Sequence, residues 1–285
     1  MNGELAKKNR DRSPYSFANI NLLGNCNVNC YFCLGKDLND EFAKYNSLHT
    51  HWSEWENWDK FIETCKTHNI PQIYLTGQNT DSLMYKYTDS LFEEIKRLGF
   101  HIGLRTNGLL AKKKIDLINS CTTCFGDAVS YSIHTLDKDT QIKIWETPLV
   151  PDWDWILRNT TSKMRVSIVL NRYNKDEVLR IIEFLSNYDN VEYIQVRKVC
   201  TDTRYELLEE DMILFEELEQ QVKCQFVNVG SFETANTYLI YGKNVSFWRT
   251  VGTTVNSINY FTNGVLSEEY FIIEGYSTEK GISLT

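Results

Sequence analysis

Leu23-Gly24-Asn25-Cys26-Asn27-Val28-Asn29-Cys30-Tyr31-Phe32-Cys33-Leu34-Gly35 places three cysteines in the pattern C-x3-C-x2-C, directly after the alternating run FANINLL (17–23). Thiolates are soft ligands, suited to zinc or to iron–sulfur clusters. These spacings let one loop wrap three sulfurs around one site. A structural zinc needs a fourth ligand, usually from a second paired knuckle. No such knuckle follows in the loop, and the nearest side chains of the right kind are His49, His51 and Cys65. A four-iron cluster on three cysteines instead leaves one iron open to an exogenous ligand. The residues alone leave both chemistries standing.

Outward from this loop, apolar strands alternate with amphipathic helices. FANINLL (17–23), QIYLTG (72–77), FHIGLRTNG (100–108), AVSYSIH (128–134), RVSIVLN (165–171) and VEYIQVR (191–197) read as six strands. Helices are expected at 53–69, opened by a Ser53/Glu56 capping box, and at 81–99, closed by Gly99. Others are expected around 110–119, within 150–162, and at 175–187 and 207–222. Such alternation predicts right-handed βαβ crossovers and a parallel sheet. From about residue 225 the pattern changes to short aromatic strands, with a hairpin signal at Asn263-Gly264. The expected organisation is a core over 1–224 and a β-rich segment, 225–285, packing on it.

The chain has 285 residues, of which 42% are hydrophobic, enough for a sizeable core. Its 30 basic and 38 acidic residues leave a net charge of −8, which argues against a generic nucleic-acid or anionic-membrane surface. No run of about twenty apolar residues suggests a membrane span, and the start MNGELAKKNRDRSPYSF has no signal-peptide core. A cytoplasmic setting is expected. There, eight cysteines read as metal or redox chemistry before crosslinking.

The loop resembles the signature of the radical S-adenosylmethionine (radical SAM) superfamily, C-x3-C-x2-C with an aromatic before the last cysteine. Cys26, Cys30, Phe32 and Cys33 match it position by position, and the resemblance spans roughly residues 17–200. It implies a partial (β/α)6 barrel with the cysteine loop after strand one, here carrying a β-rich C-terminal extension. It implies one [4Fe-4S] cluster on Cys26, Cys30 and Cys33, whose fourth iron is chelated by S-adenosylmethionine. Reductive cleavage would then yield a 5′-deoxyadenosyl radical that abstracts a substrate hydrogen. It further implies an external one-electron donor such as flavodoxin or ferredoxin. The competing class is a non-radical α/β protein with a structural metal site at the same cysteines.

Function in such barrels gathers at the carboxyl ends of the strands. Thr76-Gly77-Gln78-Asn79 stands where the family carries Gly-Gly-Glu-Pro, the motif that holds the methionine ammonium; only Gly77 matches. Glutamine accepts a hydrogen bond there without charge assistance, and a polar turn capped by Thr80 or Asp81 is the bland alternative. Thr106-Asn107-Gly108 looks like the family's strand-three ending, with Thr106 and Asn107 toward the cavity. Ser130, Ser132 and His134 share one face of strand four; Ser132 is the expected cofactor contact, and His134 an acid/base group or a satisfied histidine. Asn171 and Arg172 end strand five, where the guanidinium fork matches a carboxylate. Val196 is expected to pack on adenine.

Cys121 and Cys124 precede strand four, at the opposite face, and read as structural. Cys65 reads as core, and Cys200 as the one spare thiol at the active end. Trp52, Trp55 and Trp58 read as packing. The expected substrate is a small polar molecule or short peptide segment, enclosed by 225–285, with Tyr260, Phe261, Tyr270 and Phe271 in the lid. Arg105, Arg172, Arg197 and Lys198 offer contacts to a carboxylate or phosphate.

Overall fold

Alternation along the first strand shows how the sequence builds the barrel. In β1 (Phe17–Leu23), Ala18, Ile20 and Leu22 are fully buried in the main hydrophobic core, while Asn19 and Asn21 lie on the other face. Period-two geometry puts the apolar set toward the helices and the asparagines inside. The computed structural model describes residues 15–201, 204–232, 235–249 and 257–268. Within them β1 is followed by β2 (Gln72–Gln78), β3 (His101–Thr106), β4 (Val129–Ser132), β5 (Met164–Val169) and β6 (Val191–Arg197). All six pair in parallel and in chain order, so the carboxyl ends of the strands lie together at one rim.

The helices that return the chain are α1 (Asn39–Lys44), α2 (Trp58–Thr67), α3 (Thr88–Arg97), α4 (Ile115–Asn119), α5 (Lys138–Trp145), α6 (Trp153–Asn159), α7 (Val178–Ser186) and α8 (Tyr205–Gln225). Several are shorter than the sequence pattern suggests. The helix expected from residue 53 begins at Trp58, because Asn57 takes a left-handed conformation, φ 58°. Before it, Trp52–Glu54 form a 3-10 turn capped by His51, so the Ser53/Glu56 capping box does not form. The helix expected over 81–99 likewise splits into a turn, Ser82–Met84, and α3. Helix α5 was not anticipated.

The C-terminal strands extend the same sheet at both flanks. β7 (Val227–Phe232), β8 (Ala235–Ile240) and β9 (Lys243–Trp248) form an antiparallel meander whose last strand runs parallel to β6. β10 (Ser257–Phe261) runs parallel to β1 and pairs with the short β11 (Leu266–Ser267) through the Asn263-Gly264 turn, with Gly264 at φ 94°. The eleven strands thus make one open sheet, β11-β10-β1-β2-β3-β4-β5-β6-β9-β8-β7. Tyr260 stacks on Phe61 at 4.9 Å and donates its hydroxyl to Glu56 O at 2.7 Å, in contact with Trp55 and Trp58. Phe261 packs with Leu23 and Phe42. Both side chains are edge packing of β10; Tyr270 and Phe271 lie outside the described residues. No helix among the described residues is long and apolar enough to cross a membrane.

Candidate functional site

A cavity of about 310 Å3 opens at the carboxyl ends of the strands. Cys26, Cys30 and Cys33 form one wall with Phe32; Thr76, Gly77, Gln78, Asn79, Thr80 and Asp81 form a second. Arg105, Thr106, Asn107, Ser132, His134, Val169, Arg197, Lys198, Val199 and Cys200 line it further round the rim. Of the residues singled out in the sequence, the structure brings together the three cysteines, Phe32, Thr76, Gly77, Gln78, Thr106, Asn107 and Ser132.

Close backbone approach sets the first two walls against each other. A Cβ on Gly35 would lie 2.5 Å from Asn79 N, and one on Gly77 would lie 2.1 Å from Thr80 O. Only glycine fits at either place. Asn79 itself takes φ 54°, a conformation asparagine tolerates. Thr80 Oγ1 donates to Asn25 O at 3.0 Å, tying the strand-two turn to the cysteine loop. Gln78 Nε2 donates to Asn21 Oδ1 at 2.8 Å, which leaves its Oε1 as the accepting end of the amide.

Asp81 is buried and organises the third wall. Its carboxylate accepts from Leu83 N at 3.0 Å, from Thr106 Oγ1 at 3.0 and 2.9 Å, and from Asn107 N at 2.6 Å. Burial pushes its pKa up, while these donors pull it down. The cap expected at Thr80 or Asp81 is therefore Asp81, with a wider role than closing a turn. Thr106 gives its hydroxyl to this carboxylate. Asn107 Oδ1 accepts from Leu109 N at 3.0 Å, which fixes the amide. Its Nδ2 consequently faces the cysteine loop, donating to Asn27 Oδ1 at 2.7 Å and to Cys26 Sγ at 3.7 Å.

The cysteine loop is held from the far side of the barrel by residues that the sequence did not single out. Arg204, at the start of α8, donates Nη1 to Tyr31 O at 2.7 Å and Nη2 to Cys33 O at 2.6 Å. Its Nε meets Asp37 Oδ1 at 2.6 Å, and the Asp37 side chain is 1% exposed. Thr201 Oγ1 adds bonds to both Asp37 oxygens at 3.0 Å. A lone arginine 171 positions beyond Cys33 carries no local spacing signal.

Three expected contacts are placed elsewhere. Arg172 pairs with fully buried Asp211 at 2.7 Å and lies over the Tyr31 ring at 5.7 Å, so its fork is engaged behind the loop. Asn171 is buried in a turn, donating Nδ2 to Val169 O at 2.9 Å and accepting from Tyr173 N at 3.0 Å. Val196 belongs to the hydrophobic core, on the face of β6 opposite Arg197, which does line the cavity. His134 is buried on the cavity wall beside Phe32, ring centroids 5.2 Å apart. Its Nδ1 accepts from Val169 N at 3.2 Å, and burial pushes its pKa down to about 4. The ring is therefore neutral, with its proton on Nε2.

His49 is exposed, and His51 caps its turn at Ser53, away from the cavity. Cys65 is fully buried in the core, and Cys121 and Cys124 lie outside the cavity, where Cys124 N donates to Gln72 Oε1 at 3.2 Å. Cys200 does line it.

The donor set fits a sulfur-rich cofactor. Burial raises the Cys26 thiol to about 12 and pushes Cys30 and Cys33 up as well; Cys33 raises Cys26, and both raise Cys30, while Lys36 pulls Cys30 and Cys33 back down. Desolvated thiols become favourable ligands once a cation replaces their protons. Two buried donors at this end, Asn27 Nδ2 and Trp145 Nε1, have no acceptor in the protein. Sulfur atoms of a bound cluster are acceptors of that kind. Among the described residues, no three His, Cys, Asp or Glu side chains are grouped to hold a single ion.

Comparison with known proteins agrees. The chain is 25% identical to a probable GTP 3′,8-cyclase of Saccharolobus islandicus over 189 residues, 61% of this chain and 54% of that one. It is 26% identical to the GTP 3′,8-cyclase of Clostridium perfringens over 173 residues, 58% and 50% of the two chains. It thus spans about half the length of these curated relatives. Among solved structures, Streptococcus suis SuiB superposes with a TM-score of 0.58 at 12% identity, over 98% of this chain and 66% of that one, a likeness of fold. The profile of the radical SAM superfamily matches residues 20–189, from inside β1 to just before β6, and the chain belongs to that superfamily.

Proposed function

We propose that the chain is a radical SAM enzyme that holds one [4Fe-4S] cluster on Cys26, Cys30 and Cys33 and binds S-adenosylmethionine in the same cavity. Its substrate is a small polar molecule or a short peptide segment, and its electron comes from an external donor such as flavodoxin or ferredoxin, in a cytoplasmic setting. When bound, cluster and cofactor together supply a 5′-deoxyadenosyl radical that abstracts hydrogen. The observation carrying this reading is that the three motif thiols and the ends of β2, β3 and β4 line one cavity.

The chain's own residues hold and shield. Gly77 and the Gln78 Oε1 present acceptors to the methionine ammonium, and Ser132 presents a hydroxyl from the opposite wall. His134 presents a fixed Nε2–H donor and takes no proton near neutrality. Phe32 and Val169 supply apolar wall that keeps water from a reactive carbon. None of the described residues of the 225–285 segment lines the cavity. The relatives are named for acting on GTP, and SuiB has been crystallised with S-adenosylmethionine and with a precursor peptide. Both substrate kinds fall within the proposed range.

Anaerobic reconstitution tests it. The wild type should take up close to four irons and release 5′-deoxyadenosine under a strong reductant, and Cys30→Ala should do neither. The variant lacking Cys26, Cys30 and Cys33 should hold almost no iron. Colourless protein with bound zinc, or a cluster surviving in the triple variant, would overturn the assignment.

A further inference from the structure

Helix α5 ends on the cysteine loop, and its manner of ending places a tryptophan there. Glu146, directly after the last helical residue, Trp145, takes the left-handed conformation, φ 53°. That conformation is costly for a residue with a Cβ. It closes the helix, with Glu146 N donating to Ile142 O at 2.8 Å. The Trp145 carbonyl accepts instead from Asn29 N at 2.8 Å, within the loop between Cys26 and Cys30. The Asn29 side chain adds a second bond, donating Nδ2 to Glu146 Oε2.

Trp145 is fully buried and lines the cavity that Cys26, Val28 and Cys30 also line. Its Nε1 has no acceptor among the described residues. Gln141, one turn earlier on the same face of α5, does not take that proton, since its own Oε1 is buried and unbonded. An indole N–H can only donate. Burying such a donor without an acceptor loses its hydration uncompensated, and native proteins keep such groups few. A second donor repeats the pattern from the loop itself. Leu109 N fixes the Asn107 amide, and Asn107 Nδ2 donates to Asn27 Oδ1, so the buried end of Asn27 without a partner is Nδ2. Two donors from separate elements thus meet at the cysteines, and what both lack is an acceptor.

We propose that Trp145 is a positioning residue for the cluster: its indole N–H donates to a sulfur of the [4Fe-4S] group and raises the potential at which that group takes up an electron. This rests on the radical SAM reading and concerns the control of the same site. A donor to sulfur draws off electron density and stabilises the form that carries the extra negative charge. The indole is neutral and does not titrate, so its effect is the same on either side of neutrality. The bond from Asn29 N holds Trp145 at the loop through its main chain, independently of the ring. One net hydrogen bond of ordinary strength changes the ratio of reduced to oxidised cluster by about fivefold.

The test is spectroscopic and uses the full chain, reconstituted with iron and sulfide, without S-adenosylmethionine. Wild type carrying nitrogen-15 in its indoles is reduced, and electron–nuclear double resonance is recorded on the EPR signal of the cluster. Among the described residues Trp145 is the one tryptophan lining the cavity. A single indole nitrogen coupling is therefore expected, with a proton coupling that disappears in deuterated buffer. Trp145→Phe keeps the main-chain bond to Asn29 and removes the N–H. It should hold wild-type iron and lack both couplings. In an EPR-monitored redox titration its reduced-to-oxidised ratio at the wild-type midpoint should be lower by about fivefold. Should this variant lose its iron, the labelled wild type decides. A reduced cluster without the indole coupling, a coupling that arises only when S-adenosylmethionine is added, or an unchanged midpoint in iron-replete Trp145→Phe would overturn the proposal and leave the cluster assignment standing. A wild type that takes up no four-iron cluster would overturn that assignment, and this proposal with it.

Discussion

Replacing Arg204 by methionine tests whether the cysteine loop is held by tertiary contacts or stands by itself. The substitution keeps much of the side-chain length and removes the charge. It takes from Asp37, whose side chain is 1% exposed, the guanidinium at 2.6 Å and leaves it the Thr201 hydroxyl. Breaking a buried pair by removing one partner costs about 3–5 kcal/mol. The loss includes the donors to Tyr31 O and Cys33 O, charge-assisted bonds worth about 1.5–3 kcal/mol each when considered alone. These figures overlap, so about 4 kcal/mol is the expected total, a large share of the roughly 5–15 kcal/mol that holds a domain. Asp37→Asn removes the buried charge that has lost its cation, so the double variant should be less damaged than the sum of the singles, with a coupling of about 2 kcal/mol. Urea unfolding of the four proteins measures the cycle, and iron retention after gel filtration shows whether the loop has opened. Strict additivity, or Arg204→Met with wild-type stability and iron content, would refute the clamp.

Three further outcomes follow from the same geometry. His134 is held near pKa 4 by burial against about 6.5 when unfolded, so protonation favours the unfolded chain as pH falls between them. Wild type should lose about 2 kcal/mol relative to His134→Gln between about pH 7 and pH 5; equal losses by denaturant titration would show the ring is not buried neutral. Gly77→Ala puts a Cβ 2.1 Å from Thr80 O, so the turn must shift; S-adenosylmethionine affinity by equilibrium dialysis should fall at least tenfold while cluster content is kept. Asn107→Leu removes the N–H at 3.7 Å from Cys26 Sγ. Hydrogen bonds to ligand sulfur favour the reduced cluster, so an EPR-monitored redox titration should place the variant's midpoint below that of wild type, and an unchanged midpoint would mean the contact is lost when the cluster binds.

Much of the barrel was legible along the chain, because period-two alternation and turn residues are local signals. FANINLL placed β1 at its observed bounds, and Asn263-Gly264 marked the β10–β11 turn. Helix starts were less legible: Asn57 in a left-handed conformation delays α2 by five residues from the expected 53, something only backbone geometry records. Gly77, Asn107 and Ser132, expected at strand ends, do line the cavity, because the strand end itself fixes direction there. Where a loop turns away from the rim, the expected residues lie off the cavity. Asn171 and Arg172 follow β5 into a turn, and Asp211 from α8 takes the arginine.

By itself the sequence pointed to the family, since three cysteines spaced by three and two residues, with Phe32 before the last, form a contiguous signal in one loop. It also determined the parallel order of six strands, through alternation that each segment carries internally. Tertiary structure alone decided how the loop is held and which side chains share the cavity. Arg204 and Asp37 meet from positions 167 residues apart, and Arg105, Ser132 and Arg197 come from three different strands. No short-range pattern encodes such meetings, because strand register and barrel curvature, set by packing across the whole sheet, choose which inward-facing side chains share a level.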